Sequence, residues 1–275
     1  MNTVTLNNGI EMPTLGLGVF RVEDYQELVA AIKTAIIEGY RSIDTASIYG
    51  NEEAVGEGIR QGIAAAGITR KELFITSKIW NEDMRKGNVS EAYQESLRKI
   101  GVDYLDLYLI HWPVADYYLP TWLEMEKLYN EKQVRSIGVS NFHSHHLKEL
   151  ARHSTVTPVI NQVEYHPLLT QGELKTYLET HHIQMEAWSP LMNGDILNDQ
   201  LIVSLSQRYQ KSPAQIVLRW DLQNQVITIP KSTNHGRLIE NISVFDFELT
   251  PSEMDAINGL NQERRIGPDP DNFDF

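Results

Sequence analysis

The fold is decided by two β-rich runs, Leu73-Phe74-Ile75-Thr76-Ser77-Lys78 and Tyr104-Leu105-Asp106-Leu107-Tyr108-Leu109-Ile110-His111, which flank the amphipathic stretch Val89–Ile100. A helical pattern between two strand patterns is typical of a β–α–β unit in a parallel sheet. The same alternation extends over nearly the whole chain. The predicted strands are Thr14–Phe20, Arg41–Asp44, Leu73–Lys78, Tyr104–His111, Val134–Val139, Val159–Gln162, Gln184–Trp188 and Val226–Ile229.

A helical pattern follows each predicted strand. The predicted helices are Asp24–Glu38, Glu52–Ala65, Val89–Ile100, Thr121–Glu131, His145–Arg152, Gln171–Thr180, Pro213–Leu222 and His235–Val244. Eight strand–helix pairs predict an α/β fold of the (β/α)8 TIM barrel type, and the 275 residues suit the usual length of about 250. A short N-terminal β-hairpin (Thr3–Leu6 and Ile10–Met12), a segment Asn198–Gln210, and an extra C-terminal helix (Pro251–Leu260) with a tail complete the prediction.

The rival architecture is a doubly wound open sheet, which would open with a strand running into Gly-x-Gly-x-x-Gly. The closest early element, Gly16-Leu17-Gly18, lacks the third glycine and leads into no immediate helical pattern. No Pro/Gly/Ser-rich linker divides the chain. We therefore expect a single barrel domain over residues 1–275.

Composition narrows the class of protein. The chain is 41% hydrophobic and 22% charged, has no cysteine, and carries a formal net charge of −13. This charge disfavours nucleic acid or an anionic membrane as the partner, whereas a small molecule can be held by a few local cations. With no signal-like N-terminus and no long apolar run, we expect a cytoplasmic enzyme that acts on a small-molecule substrate.

Polar residues end three neighbouring strands. Asp44, Lys78 and His111 are separated by 34 and 33 positions, about one strand–helix unit each, and Tyr49 follows Asp44 by five residues. In a barrel of this kind the reactive groups lie at the carboxyl ends of the strands. The spacing therefore predicts that these four side chains meet at one rim.

The four residue types suit proton transfer to an oxygen that is gaining charge. Tyrosine has a pKa of about 10, and an ammonium about 4 Å away favours the phenolate by roughly 4 kcal/mol at an effective dielectric of about 20. Lys78 should therefore lower the pKa of Tyr49, Asp44 should hold Lys78 charged, and His111 could donate a hydrogen bond to a carbonyl oxygen. Taken singly, each residue could be structural, and Lys78 could instead be a Schiff-base amine of an aldolase or isomerase.

Several spaced motifs resemble the aldo-keto reductases, in particular the bacterial branch that includes 2,5-diketo-D-gluconate reductases. The motifs are Gly39-Tyr40-Arg41-Ser42-Ile43-Asp44-Thr45-Ala46 with Tyr49, Leu107–Pro113, Ile137–Phe142, Asn161–Pro167, Ile229-Pro230-Lys231-Ser232-Thr233 with Arg237, and Arg265–Pro270. The resemblance implies NADPH-dependent reduction of aldehydes and ketones, with NADH used more weakly, by a monomer. Small dicarbonyls such as methylglyoxal, diketo-sugar acids and aromatic aldehydes are the implied substrates. A non-catalytic NADPH-sensing subunit is the alternative.

The resemblance also implies residue roles. Asp44, Tyr49, Lys78 and His111 match the catalytic tetrad, with Tyr49 as proton donor. The implied cofactor contacts are Ser140, Asn141, Gln162, Trp188, Ser189, Leu191, Lys231, Ser232, Thr233, Arg237, Glu240 and Asn241. The expected substrate pocket is lined by Val19, Phe20, Trp80, His111 and Trp112.

The run His143-Ser144-His145-His146 could suggest a metal ion. Metal sites built on imidazole are usually completed by carboxylate or thiolate ligands, and none stands nearby in the sequence at ligand spacing. We therefore interpret this run as a solvated helix start and expect no metal site.

Overall fold

Eight parallel strands form the barrel in a computed structural model that describes residues 2–275. After a hairpin of β1 (Thr3–Thr5) and β2 (Glu11–Pro13), the barrel strands are β3 (Leu17–Gly18), β4 (Ser42–Asp44), β5 (Phe74–Ile79), β6 (Leu107–Ile110), β7 (Ile137–Ser140), β8 (Ile160–Glu164), β9 (Gln184–Trp188) and β10 (Ile227–Thr228). Each pairs with the next in chain order. The ring closes through parallel bridges from Leu15 to Thr228 and from Gly18 to Lys231. The predicted barrel is confirmed.

Helices surround the strands. They are α1 (Tyr25–Ile37), α2 (Glu52–Ala66), α3 (Asn81–Lys86), α4 (Val89–Ile100), α5 (Tyr118–Asn130), α6 (Ser144–His153), α7 (Gly172–Thr180), α8 (Gln200–Tyr209), α9 (Pro213–Gln223), α10 (His235–Ile242) and α11 (Pro251–Asn258). Helices α9 and α11 begin with side-chain caps. The Ser212 and Thr250 hydroxyl oxygens each accept the backbone N–H three residues further on, and each helix has proline in its first turn. Among residues 2–275, no helix has the length and apolar character needed to cross a membrane.

Five strands, β3, β4, β6, β7 and β10, are shorter than predicted, and the difference is largest at β3 and β6. β6 begins at Leu107 rather than Tyr104, because the Asp106 carboxylate accepts the backbone N–H of Ile75 and pairs with Arg70 just before the ladder starts. β3 has only two residues, since its contact with β10 is made through single bridges rather than a continuous ladder.

The hairpin closes the amino end of the barrel. Leu6 and Met12 from the hairpin segment pack in a buried cluster with side chains from the barrel strands, including Leu107 and Ile160. Burying these side chains removes apolar surface from water, which stabilises the fold by roughly 25 cal/mol per Å² of surface buried. The hairpin does not cover the opposite rim, where the carboxyl ends of the strands and their polar side chains lie.

Helix α2 approaches α4 at a glycine. A Cβ atom on Gly56 would overlap the backbone oxygen of Ile100, which cannot move without shifting the end of α4. We expect Gly56→Ala to lower the free energy of unfolding by about 3 kcal/mol or more, because overpacking forces the backbone to shift. Urea denaturation would measure this. Gly172→Ala, at the first residue of α7 with nothing within 4 Å, is the control and should change stability by less than about 0.5 kcal/mol. Equal effects of the two substitutions would contradict the close-approach explanation.

Candidate active site

A buried ion pair joins the ends of β4 and β5. Lys78 Nζ lies 2.6 Å from Asp44 Oδ1 and donates a second hydrogen bond to the Thr45 carbonyl oxygen at 2.9 Å. Lys78 is 0% exposed. Asp44 and Thr76 are register partners, so Lys78, two residues further along β5, shares the face of the strand on which Thr76 lies.

Tyr49 lies beside this pair, in the one-turn 3-10 helix Ser47–Tyr49. Lys78 Nζ donates to its hydroxyl oxygen at 3.5 Å, and the Phe20 ring lies 4.9 Å from the Tyr49 ring. Burial raises the pKa of Tyr49 more than the Lys78 ammonium lowers it, and Asp44 adds to the rise. The expected net lowering of the Tyr49 pKa is therefore wrong, although the direction of the Lys78 contribution is as predicted.

The charge state of Lys78 bears on the Schiff-base alternative. Burial opposes its charge, but Asp44 and Tyr49 outweigh burial and raise the pKa of Lys78. A lysine that attacks a carbonyl must instead lose its proton readily. The ammonium also donates to Asp44, Thr45 and Tyr49, which uses its three hydrogens. This environment argues against an aldolase-type amine.

His111 follows β6 and reaches the same rim. Its ring centroid lies 5.7 Å from that of Tyr49 and 5.3 Å from that of Trp80. Burial, and then the nearby Lys78 charge, lower the pKa of His111 well below its ordinary value. The imidazole is therefore neutral at neutral pH and can carry one N–H.

A second buried carboxyl group, which was not predicted from the sequence, lies next to Asp44. Gln162 Nε2 donates to Asp44 Oδ2 at 2.8 Å and to Glu186 Oε2 at 2.7 Å. Burial and the Asp44 charge raise the pKa of Glu186 to about 8. Asp44 and Glu186 have only one ammonium, that of Lys78, to balance their charge. Because Asp44 is already paired with it, Glu186 keeps its proton at neutral pH. The available signal was a glutamate between the apolar residues Met185 and Ala187 of β9.

The residues expected at the nicotinamide lie at adjacent strand ends. Ser140 Oγ donates to the Gln162 carbonyl oxygen at 2.8 Å, and Trp188 Nε1 donates to Asn141 Oδ1 at 2.8 Å. Asn141 Nδ2 in turn donates to the His111 carbonyl oxygen at 2.9 Å. The structure therefore brings Ser140, Asn141, Gln162 and Trp188 together next to the tetrad.

The residues expected at the 2′-phosphate lie around the start of α10. Asn234 caps this helix by accepting the backbone N–H of Arg237, and Ser232 Oγ accepts the backbone N–H of Asn234. Lys231 and Arg237 are exposed and form no ion pair within residues 2–275. The remaining predicted cofactor contacts differ in exposure. Asn241 is buried, whereas four side chains are partly exposed: Ser189, Leu191, Thr233 and Glu240.

The predicted substrate residues divide into two groups. Phe20 is 52% exposed above Tyr49, and Trp80 and Trp112 face the rim, but Val19 is 1% exposed and packs in the core. Two aromatic side chains of the C-terminal tail also lie at this wall and were not predicted from the sequence. Phe275 stacks on Trp80 at 5.6 Å, and Phe273 lies 5.2 Å from Trp112.

The histidine run has a partner that the local sequence does not contain. The tail places Asp271 Oδ2 2.8 Å from His143 Nδ1, and Asp271 Oδ1 lies 3.0 Å from His145 Nε2 and 3.3 Å from His146 Nε2. The premise that no carboxylate stands near these histidines is therefore wrong, because chain folding brings one from 128 residues away.

The fold is a parallel (β/α)8 barrel. Its carboxyl rim carries a buried lysine–carboxylate pair, a tyrosine and a neutral histidine. These features define a class of barrel enzyme suited to proton transfer. Residues 14–262 match the Aldo/keto reductase family. The chain belongs to this family, as its motifs predicted, and is an oxidoreductase.

Similar proteins agree with this assignment. An uncharacterized oxidoreductase of Bacillus subtilis, YtbE, is 59% identical over 98% of this chain and 97% of its own length. The glyoxal reductase of Bacillus subtilis is 52% identical over 100% of this chain and 98% of its own. The crystal structure of a Bombyx mori aldo-keto reductase in complex with NADP is 39% identical and superposes with a TM-score of 0.92, covering 98% of this chain and 96% of that one.

The proton on Glu186 has a measurable consequence for stability. The native chain keeps this proton up to about pH 8, whereas an unfolded glutamate loses it near its ordinary value of 4.5. Between these values the native state binds more protons than the unfolded state, so the free energy of unfolding falls as pH rises. We expect Glu186→Gln to flatten this dependence, measured by urea denaturation at several pH values from about 5 to 8.

The exposed Glu91→Gln variant is the control and should keep the unaltered slope. The assignment of a protonated Glu186 fails if Glu186→Gln shows the same slope as the unaltered chain.

Proposed function

We propose that this chain reduces aldehydes and ketones to alcohols with NADPH, and that Tyr49 supplies the proton. The observation that carries the proposal is the hydrogen bond from the buried Lys78 ammonium to the Tyr49 hydroxyl oxygen, next to neutral His111. A group placed there can protonate an oxygen as negative charge develops on it.

Gln162 and Trp188, near the tetrad, fit the nicotinamide end of the cofactor. Both hydrogens of Gln162 Nε2 are used by Asp44 and Glu186. This leaves Gln162 Oε1 as an acceptor, to which no residue among 2–275 donates. A carboxamide NH2 would satisfy it. The Trp188 indole at the end of β9 offers an aromatic face beside it.

The residues around the start of α10 fit the 2′-phosphate end of the cofactor. Lys231 and Arg237 bring two cations to the first turn of α10, where backbone N–H groups and the helix dipole favour an anion. Ser232 and Thr233 add hydroxyl groups on the same loop. A phosphate monoester carries close to two negative charges, which this set can match, and this supports NADPH over NADH.

When bound, NADPH supplies a hydride to the carbonyl carbon. The raised pKa of Tyr49 keeps the phenol protonated before reaction. As the substrate oxygen gains charge, Tyr49 gives up its proton, and Lys78 stabilises the resulting phenolate through the hydrogen bond that it already donates. Asp44 holds Lys78 in place.

His111 orients the substrate oxygen. Its Nδ1 is buried with no hydrogen-bond partner among residues 2–275. A proton on Nδ1 would leave a buried N–H donor without an acceptor, so we assign the single proton of the neutral ring to Nε2. His111 Nε2 can therefore donate to the substrate carbonyl.

Small dicarbonyls are the substrate class that we favour. The wall above Tyr49 consists of the aromatic rings of Phe20, Trp80 and Trp112, backed by Phe275 of the tail. The 52% identical relative is a glyoxal reductase, which supports glyoxal and methylglyoxal as the first compounds to test. Diketo-sugar acids and aromatic aldehydes complete the panel.

Removing the Tyr49 hydroxyl tests the proton donor. We expect Tyr49→Phe to lower kcat for methylglyoxal by about 100-fold or more, because general acid catalysis contributes 10²–10⁴-fold. NADPH affinity, followed by quenching of tryptophan fluorescence, should stay within about twofold, since no proposed cofactor contact uses this hydroxyl.

Tyr108→Phe is the control, because the Tyr108 hydroxyl is buried without a partner among residues 2–275, and it should retain turnover. Near-normal turnover by Tyr49→Phe would remove Tyr49 as the acid. An unaltered chain that binds NADPH but reduces none of the panel would favour the cofactor-sensing alternative.

The cationic pair tests the choice of cofactor. We expect Lys231→Ala or Arg237→Ala to raise the KM for NADPH about tenfold or more, because a hydrogen bond to a charged group contributes about 1.5–3 kcal/mol. The KM for NADH should barely change. Steady-state kinetics with both cofactors would measure this, with Lys71→Ala as an exposed-lysine control just before β5, at the opposite rim. Equal increases for both cofactors would exclude this pair from the 2′-phosphate site.

A further inference from the structure

Three histidines and an aspartate converge outside the reducing centre. His143, His145 and His146 lie at the start of α6, and Asp271 belongs to the C-terminal tail. One nitrogen of each imidazole and the Asp271 carboxylate lie within 4.8 Å of one another. No step of the proposed reduction uses these groups.

This donor set has the chemistry of a transition-metal site. Imidazole nitrogen and carboxylate oxygen are the ligands of Zn²⁺ sites with bonds of about 2.0–2.2 Å, which at tetrahedral angles places the donor atoms roughly 3.4 Å apart. The Asp271 oxygens are already 2.8 Å from His143 Nδ1 and 3.0 Å from His145 Nε2. The exposed side chains of His145 and Asp271 leave room for the remaining adjustment.

The second nitrogen of each ring decides which histidines can be ligands. A metal-bound imidazole carries its proton on the nitrogen away from the metal, where an acceptor usually holds it. His146 Nδ1 accepts the backbone N–H of His143 at 3.1 Å, which caps α6. A proton on His146 Nδ1 would break this cap, so His146 is the least suited of the three.

His145 and His143 are better placed. No residue among 2–275 hydrogen-bonds the Nδ1 atom of His145, so it can carry a proton without a clash. His143 Nε2 lies 3.0 Å from the Arg265 guanidinium, which would have to turn away when His143 Nδ1 binds a metal. Arg265 is partly exposed, so water can receive it. The same cation opposes a metal ion by charge.

We propose that His143 Nδ1, His145 Nε2 and the Asp271 carboxylate form a binding site for a divalent first-row transition-metal ion, of which Zn²⁺ is the test case. Water completes the coordination shell, and His146 continues to cap α6. The site joins α6 to the C-terminal tail, and Arg265 competes with the metal for it.

Titration of the full chain, free of any added histidine tag, tests the site. Isothermal titration calorimetry with ZnCl2 should give saturable binding of one ion per chain, reversed by EDTA, and Co²⁺ should report nitrogen and oxygen ligation in its visible spectrum. His145→Ala and Asp271→Asn should each weaken binding by more than about 100-fold, because loss of a residue that only orients a ligand already costs about 10–100-fold. Arg265→Ala should tighten binding, because it removes the competing cation.

His153→Ala is the matched control. His153 forms an ordinary exposed pair with Glu149 at the other end of α6, and its loss should leave Zn²⁺ affinity unchanged. Circular dichroism would verify that each variant is folded. The proposal is overturned if the unaltered chain shows no saturable binding below millimolar Zn²⁺, which would make the cluster a metal-free clasp on Asp271. Unchanged affinity in both His145→Ala and Asp271→Asn would also overturn it.

Discussion

The ion pair between Lys78 and Asp44 is the constraint on which the carboxyl rim depends. Two charges 2.6 Å apart are buried where water cannot solvate them, and such a pair persists only if its remaining donors are satisfied. The Thr45 carbonyl and the Tyr49 hydroxyl provide those partners. The hydrogen bond that satisfies the buried ammonium is therefore the same one that would stabilise a tyrosinate. The stability of the ion pair and the proposed acid function of Tyr49 would then rest on one interaction.

The same pair determines what the neighbouring groups can recognise. Asp44 and Glu186 both face Gln162, and together they consume its two donor hydrogens. Only the Gln162 side-chain carbonyl oxygen remains, so at this position Gln162 can accept a hydrogen bond from a ligand but cannot donate one. A protonated Glu186 keeps the local charge in balance, since a second carboxylate would face a single ammonium. Electrostatics inside the barrel thus sets the polarity of the rim.

Much of the architecture could be predicted from the sequence, because strand and helix periods are local properties. Val89–Ile100 and Gln184–Trp188 have their predicted bounds. Asp44, Lys78 and His111 share one rim because each lies at or next to the carboxyl end of a strand. Burial is not local, so the net rise in the Tyr49 pKa and the proton on Glu186 were missed. The approach of Asp271 to α6 was missed for the same reason, because no periodic pattern encodes where a tail returns.

The C-terminal tail is anchored to the barrel at points that are separate from the buried ion pair. Glu164 accepts the backbone N–H groups of Ile266 and Gly267, Asp271 contacts the histidines of α6, and the Phe275 carbonyl oxygen accepts from Asn81 and Arg85. All these anchors lie outside the tetrad. They position Phe273 and Phe275 against Trp112 and Trp80, at the proposed substrate wall. A change to an anchor would therefore be expected to reshape this aromatic wall without disturbing the buried ion pair. Under the proposed function, substrate choice and proton transfer would then depend on separate sets of contacts.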